Sequence, residues 1–188
     1  MSERVLTRKG QARRAEILET ALKVLAERGY RETSLRAIGR ELGIEPAHIL
    51  HYFQSREGLL EEVIRAWDAP VDAQNDAPFL QIWPEVLERN AKIPGLVHLY
   101  TALAAEASTP DHPSHDFFQN RYRRIRRRVA DEVDRGMREG RYVPALSSDE
   151  IAVMLISLSD GLQLQWLIDP SINPASQLRS AITRLTEP

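Results

Sequence analysis

The sequence predicts an all-α protein of about nine helices, with an N-terminal unit of three short helices joined by a fourth helix to a larger helical domain. Three observations predict it. Apolar residues recur at helical spacing through most of the chain, strand-like alternation is almost absent, and Gly and Pro fall mainly at the breaks between periodic segments. The chain has 188 residues, 43% of them hydrophobic, which is enough for one large domain or two small ones. The division is expected at residue 54, giving units 1–54 and 55–188.

The first helix is predicted from about Gly10 to Glu27, with Ile17, Leu18, Ala21, Leu22 and Leu25 on one side and Gly29 placed to end it. Thr33 or Ser34 caps a second short helix carrying Leu35, Ile38 and Leu42. Gly43 breaks the chain, and Pro46 sits in the first turn of a third helix, from Glu45 to about His51. Ser55 caps a fourth, where Leu59, Leu60, Val63, Ile64 and Trp67 follow at helical spacing to about Asp68. Short helices are expected over 79–91 and 95–108. After the turn at Ser108 to Pro113, a long helix runs from about Ser114 to Gly136 on the stripe Phe118, Tyr122, Ile125, Val129 and Val133. The segment Ser147 to Ile168 is the most apolar helix, and Pro174 opens the last, to about Leu185.

Composition narrows the function. There is no cysteine, which excludes disulfides, iron–sulfur centres, thiolate zinc sites and a cysteine nucleophile. No apolar run reads as long enough to span a bilayer, and the N-terminus lacks the apolar core of a signal peptide, so a cytoplasmic protein is expected. The net charge of −2 conceals a division. Residues 1–60 carry 11 Lys and Arg against 8 Asp and Glu, while the remainder carries 14 against 19. A basic head on an acidic body suits nucleic acid at one end.

Residues 17–53 hold the strongest pattern. A tight helix-turn-helix projects its second helix as a rod that fits the major groove of DNA. Here Arg4, Arg8, Lys9, Arg13 and Arg14 lie before the rod, Arg36 and Arg40 on the helix that precedes it, and Arg56 just after it. That arrangement suits clamping of phosphates. The run EILETALKVLAERGYRETSLRAIGRELGIEPAHILHYFQSREGLLEEVI contains the ERGY helix end, T-S-L-R-x-I, the G-I-x-P turn, H-Y-F and S-R-E-x-L-L, in that order. It resembles the DNA-binding domain of the TetR family of bacterial transcriptional regulators. The later stretch LISLSDGLQLQWLIDP is similar to the penultimate helix of the BetI-like branch.

The resemblance implies a ligand-responsive homodimer that binds a palindromic operator, most simply a repressor released by a small-molecule effector. An activator or a co-repressor-dependent regulator is the alternative, separated by the direction of ligand linkage; a helical enzyme stands further off. It directs Ala47, His48, Leu50 and His51 toward the groove, because Ile49 and Phe53 are needed inside. His48 is placed to donate to a guanine edge, and His51 or Tyr52 to bond phosphate, the plainer role for His51 being packing at the helix end. Thr33, Ser34, Arg36, Tyr52 and Arg56 resemble the family's phosphate-facing positions. Two residues depart from the pattern. Glu45 stands where Ser or Thr is usual, and either accepts from a cytosine amino group or weakens binding. Leu50 stands where Tyr is common and could meet a thymine methyl group.

For the larger domain a cavity between helices is expected. Trp67, Trp83, His98, Tyr100, Leu103, Glu106, Phe118, Arg121, Tyr122 and Trp166 are its candidate lining residues, ordinary core packing being the plainer role for each. Glu106 stands out as an acid among alanines that needs a partner if buried. The arginines from Arg121 to Arg128 read as a solvated face paired to the DNA-binding domain, or, for Arg121 and Arg124, as the mouth of a site for an anionic effector. The resemblance implies a four-helix dimer interface from the last two helices, where Ile151, Met154, Leu155, Leu158, Leu162, Gln165, Leu178 and Ile182 are the candidates. His112 and His115 with flanking carboxylates are read as a surface turn, not a metal site. No nucleophile, phosphate-loop or dinucleotide motif is present, so neither enzyme chemistry nor a cofactor is expected.

Overall fold

The computed structural model describes residues 7–72 and 78–187, and among these it contains nine α-helices and no strand. They are α1 (Arg8–Glu32), α2 (Leu35–Leu42), α3 (Pro46–Phe53), α4 (Arg56–Asp72), α5 (Phe79–Asn90), α6 (Pro94–Glu106), α7 (His115–Arg138), α8 (Ser148–Ile168) and α9 (Pro174–Thr186). Arg4 lies outside the described residues.

Local chemistry accounts for the boundaries. The Thr7 hydroxyl accepts from the Gly10 amide to open α1, two residues before the expected start, and Gly29 interrupts that helix with φ 75°. Of the two candidate caps for α2, Ser34 does the work, accepting from the Ala37 amide at 3.1 Å. Gly43 turns the chain into α3 at φ 63°, a left-handed conformation that a side chain would strain. Ser55 accepts from the Gly58 amide at 2.9 Å, opening α4. At α8, Ser147 and Glu150 form a reciprocal capping box. The start of α5 is closed from elsewhere. Pro78 at its N-cap makes no side-chain hydrogen bond, and the Leu80 amide instead donates to Glu132 Oε2 of α7 at 3.1 Å.

Two apolar cores result. One takes Ile17, Ala21, Leu25, Ile38, Ile49 and Phe53 of the first three helices, continues through Leu59, Leu60 and Val63 of α4, and crosses residue 54 into Leu96, Leu99 and Leu103 of α6. The other joins α5, α7, α8 and α9 around Leu80, Val133, Ile151, Leu155 and Leu178. The two halves approach closely at Gly95, where a Cβ would stand 2.1 Å from the Leu25 carbonyl oxygen of α1. Only glycine lets α6 come so near.

Two expectations are corrected here. By length and composition α8 is long and apolar enough to cross a membrane, contrary to the reading that no such run exists. In this fold, however, it packs Ile151, Leu155 and Leu162 inward between its neighbours. That placement also removes Ile151, Leu155, Leu162 and Leu178 from the expected dimer face, since all four are buried within the protomer's own core. Their side chains fill the centre of the α5–α7–α8–α9 bundle.

Candidate nucleic-acid interface and effector cavity

The turn at Gly43 sets α3 across α2, and the burial of Ile49 and Phe53 fixes which way the helix faces. Ala47, His48, Leu50 and His51 are therefore exposed on one side, together with Glu45 at its N-cap. Glu45 makes no side-chain capping bond. Leu50 is the one large apolar side chain among the exposed residues of the first three helices, with 36% exposure. Tyr52 is half-buried, edge-on to the His51 ring at 5.3 Å. Around this face Ser34, Arg36 and Arg40 are exposed, and Arg8 and Lys9 are exposed at the start of α1.

Some expected contacts are differently occupied. Thr33 is 2% exposed and its hydroxyl donates to the Gly29 carbonyl at 2.8 Å, so its side chain is corrected to an internal role. Arg14 turns away from the arm to pair with Glu62 of α4 and to cover the Phe53 ring. Burial works to raise the Glu62 carboxyl, but hydrogen bonds from Arg14 and Arg65 outweigh it and hold the group below its usual range. Arg56 lies over the Tyr30 ring at 5.4 Å and 3.6 Å from Glu57, which gives this cation at a helix start partners of its own.

At the other end of α4 lies a narrow cavity of about 60 Å³, bounded by α4, α5, α6, α7 and α8. Its walls are largely apolar and aromatic, with Trp67, Trp83 and Tyr100 among them. Its polar side is a continuous network. Arg121 Nε and Nη2 donate to the two oxygens of Asp68 at 2.8 and 3.2 Å. Arg121 Nη1 donates to the Tyr100 hydroxyl at 3.2 Å, which donates in turn to Asp160 Oδ1 at 2.9 Å. The Tyr122 hydroxyl donates to Asp160 Oδ2 at 2.8 Å. Four helices thus meet in one chain of bonds.

Burial and mutual charge set the protonation of this network. Burial pushes the Tyr100 hydroxyl well above its ordinary value. Burial, then the neighbouring Asp160 charge, carries Tyr122 up to about 12. Burial also raises Asp160, opposed by the bonds from Tyr122 and Tyr100. For Arg121 burial favours neutrality, but Tyr100 and Asp68 more than offset it, so the guanidinium stays charged. An outer cleft of about 710 Å³ between α5 and α7 shares Asp68, Trp83 and Arg121 with the cavity.

Of the expected lining residues, Trp67, Trp83, Tyr100 and Arg121 border the cavity, while His98 and Tyr122 border a groove between α6 and α8 that Tyr100 and Asp160 also line. Leu103 and Phe118 are corrected to core positions, and half-buried Trp166 lines none of these spaces. Glu106 is half-exposed, 4.0 Å from His112 at the surface turn, so the partner inferred for a buried acid is not required. The reading missed Asp68 and Asp160. The acid-among-apolar-residues signal that singled out Glu106 applies better to Asp160, inside the most apolar helix.

The dimer candidates divide in the same way. Met154 and Gln165 are exposed, Leu158 and Ile182 half-buried. Val153, Leu164 and Ile168, not anticipated, add 47%, 51% and 78% exposure to the outer side of α8. Among the described residues no cluster of three or more metal-ligating side chains occurs.

Residues 17–63 match the family model for bacterial regulatory proteins of the tetR family. Residues 77–187 match that for the C-terminal part of BetI-type transcriptional repressors. The HTH-type transcriptional repressor KstR2 of Mycolicibacterium smegmatis is 27% identical over 153 residues, covering 73% of this chain and 71% of that protein. Among solved structures, a protein from Saccharomonospora viridis described as a transcriptional regulator, in complex with choline, is 25% identical with a TM-score of 0.64, covering 95% of this chain and 100% of that one. A TetR transcription regulator from Haloarcula marismortui has the same fold, with a TM-score of 0.73 at 17% identity over 92% of this chain and 95% of that one.

Proposed function

Because the chain belongs to the TetR family of bacterial transcriptional regulators, with a BetI-type C-terminal domain, we propose that it is a homodimeric repressor that holds a palindromic operator and releases it when a small molecule occupies the space beside α4. One observation carries the reading. A single helix, α4, buries Leu59, Leu60 and Val63 in the core of the DNA-reading unit and presents Ile64, Trp67 and Asp68 to the cavity. A rod anchored at both ends transmits a displacement that a Gly/Ser linker would absorb.

The exposed apolar side of α8 supports pairing with a second copy. Two-fold pairing sets the two α3 helices apart, and successive major-groove faces lie about 34–36 Å from each other. In this reading Ala47, His48, Leu50 and His51 face base edges, while Ser34, Arg36, Tyr52 and Arg56 face phosphates. The protein acts in the bacterial cytoplasm, where the DNA is. Binding of choline by the Saccharomonospora viridis neighbour supports a small molecule as the effector here. The cavity of about 60 Å³ is far below the roughly 300–1,000 Å³ of a typical ligand site, so occupation has to part its walls or extend into the adjoining cleft.

The test is selection of duplexes from a random library by the full-length protein, followed by sedimentation of the free protein and of the complex. An inverted-repeat consensus bound by two copies, or by two pairs, is expected. A monomer with and without DNA at micromolar concentration refutes the reading.

A further inference from the structure

The effector-responsive reading above leaves the chemistry of the effector open, and the Arg121 network constrains it. We infer that the effector is an amphipathic carboxylate, whose apolar body lies in the α5–α7 cleft and whose carboxylate takes the Arg121 guanidinium from Asp68. The inference rests on that reading and specifies the ligand class for the same site.

Arg121 is the central observation. Its side chain is 15% exposed, and three of its five N–H groups are used, two by Asp68 and one by Tyr100. A planar guanidinium presents a fork that matches a carboxylate, and it keeps its charge when buried. Both neighbouring acids are already engaged, Asp68 by that fork and Asp160 by two hydroxyl groups. A cationic ligand would enter beside a resident cation that already covers the Tyr100 ring at 4.7 Å. An anion meets the opposite situation, because Asp68 is a carboxylate it can replace group for group.

The cleft suits the rest of such a molecule. Its volume of about 710 Å³ falls within the roughly 300–1,000 Å³ range of ligand sites. Phe79 and Trp83, both buried, stack behind its wall with ring centroids 5.0 Å apart, Phe79 beneath the Arg128 guanidinium at 4.5 Å, and half-buried Val86 and Ile125 supply its apolar lining. Arg123, Arg127 and Arg135 join Arg121 among its described lining residues, beside Asp68, Asp131 and Glu132. The choline bound by the Saccharomonospora viridis neighbour has the opposite charge, so the two chains are separable by experiment.

The exchange would also act on α4. Asp68 is 18% exposed, and losing the fork leaves it with Arg124 Nη2 at 3.8 Å, a far more exposed cation. A partly buried carboxylate that loses its hydrogen bonds favours any movement that rehydrates it. Movement of α4 away from α7 does so, and α4 carries the DNA-reading core.

The experiment titrates the full-length protein on its library-selected duplex with four probes: octanoate, octan-1-ol, octyltrimethylammonium and choline. Calorimetry on the free protein and fluorescence anisotropy of labelled duplex are read together. Octanoate is expected to bind about tenfold or more tighter than the alcohol or the ammonium of equal chain length, and to release the duplex. Arg121→Gln is expected to abolish the preference between headgroups while still binding octanol. Since Arg121→Gln strands Asp68, the pair Arg121→Gln with Asp68→Asn is a second arm that leaves no unpaired charge at that bond, and it should behave alike. Tighter binding of either ammonium compound overturns the inference, as does equal binding of the three octyl probes or no binding of octanoate. Failure of the unmodified protein to select any duplex refutes the regulator reading itself, so the two failures are distinct.

Discussion

Gly95→Ala tests the joint between the two halves. The added Cβ would lie 2.1 Å from the Leu25 carbonyl oxygen, about 1.3 Å inside the 3.4 Å where ordinary contact begins, and 3.2 Å from the Gly29 Cα. Both neighbours are backbone atoms, so no side-chain rotation relieves the overlap, and α6 must withdraw from α1. Overpacking of this kind costs about 1–3 kcal/mol, and opposition by backbone places the cost near the middle or above, about 2 kcal/mol. For a chain of this length that lowers the unfolding midpoint by roughly 4–8 °C. Withdrawal of α6 also moves Leu96, Val97 and Tyr100, which line the cavity, so coupling to the effector site should change with stability. Thermal unfolding of the dimer, with operator titrations alongside, measures both. An unchanged midpoint would show that the joint yields freely and that no tight mechanical connection links α1 to α6.

Three further outcomes are expected. His48→Ala should relax preference at one base pair by about 1–3 kcal/mol, and single dT→dU replacements in the selected duplex should weaken the native protein but not Leu50→Ala; identical preferences in a library selection would return either residue to a packing role. Trp67→Phe removes the indole bond to Asn90 Oδ1 of α5 yet retains most of the packing, so operator affinity should hold while effector-induced release is blunted, as measured by titrating octanoate against the preformed complex. Tyr122, carried from its ordinary 10 up to about 12, keeps its proton in the folded state after the unfolded chain has lost it, so stability present below pH 10 is lost as pH rises toward 12; Tyr122→Phe should flatten that slope in urea unfolding followed across the window.

The DNA-reading end was the more legible part of the sequence because its signals are local. Gly43, Pro46 and Ser55 each act within a few residues of where they stand, and the burial of Ile49 and Phe53 follows from a period of one short helix. Thr33 and Ser34 show the limit: both hydroxyls are of a kind that caps helices, and the backbone path decides that Ser34 accepts from Ala37 while Thr33 turns back to Gly29. On α8 apolar residues occur all round the helix, so periodicity could not tell the core-facing Ile151, Leu155 and Leu162 from the outward Val153, Leu164 and Ile168. Tyr100, Arg121 and Tyr122 were among the expected lining residues, but their pairing with Asp68 and Asp160 was not legible, for a different reason. Asp68 and Arg121 are 53 residues apart, and Tyr100 and Asp160 are 60 apart, distances at which no spacing rule applies.

The core that runs from Ile17 through Leu60 to Leu103 has a bearing on how such proteins can be recombined. A graft cut at residue 54 would carry the reading helix but leave behind the α4 and α6 side chains against which Leu25 and Ile38 are packed. The transplanted head would then meet a foreign surface at Gly95, where a single methyl group is already too much. On the proposed role of α3, exchange of operator preference between relatives would therefore be simplest by replacing its outer residues in place. For a lineage that diversifies its targets, substitutions at Glu45, Ala47, His48, Leu50 and His51 are open, while recombination of whole heads is closed unless the facing side of α6 travels with them.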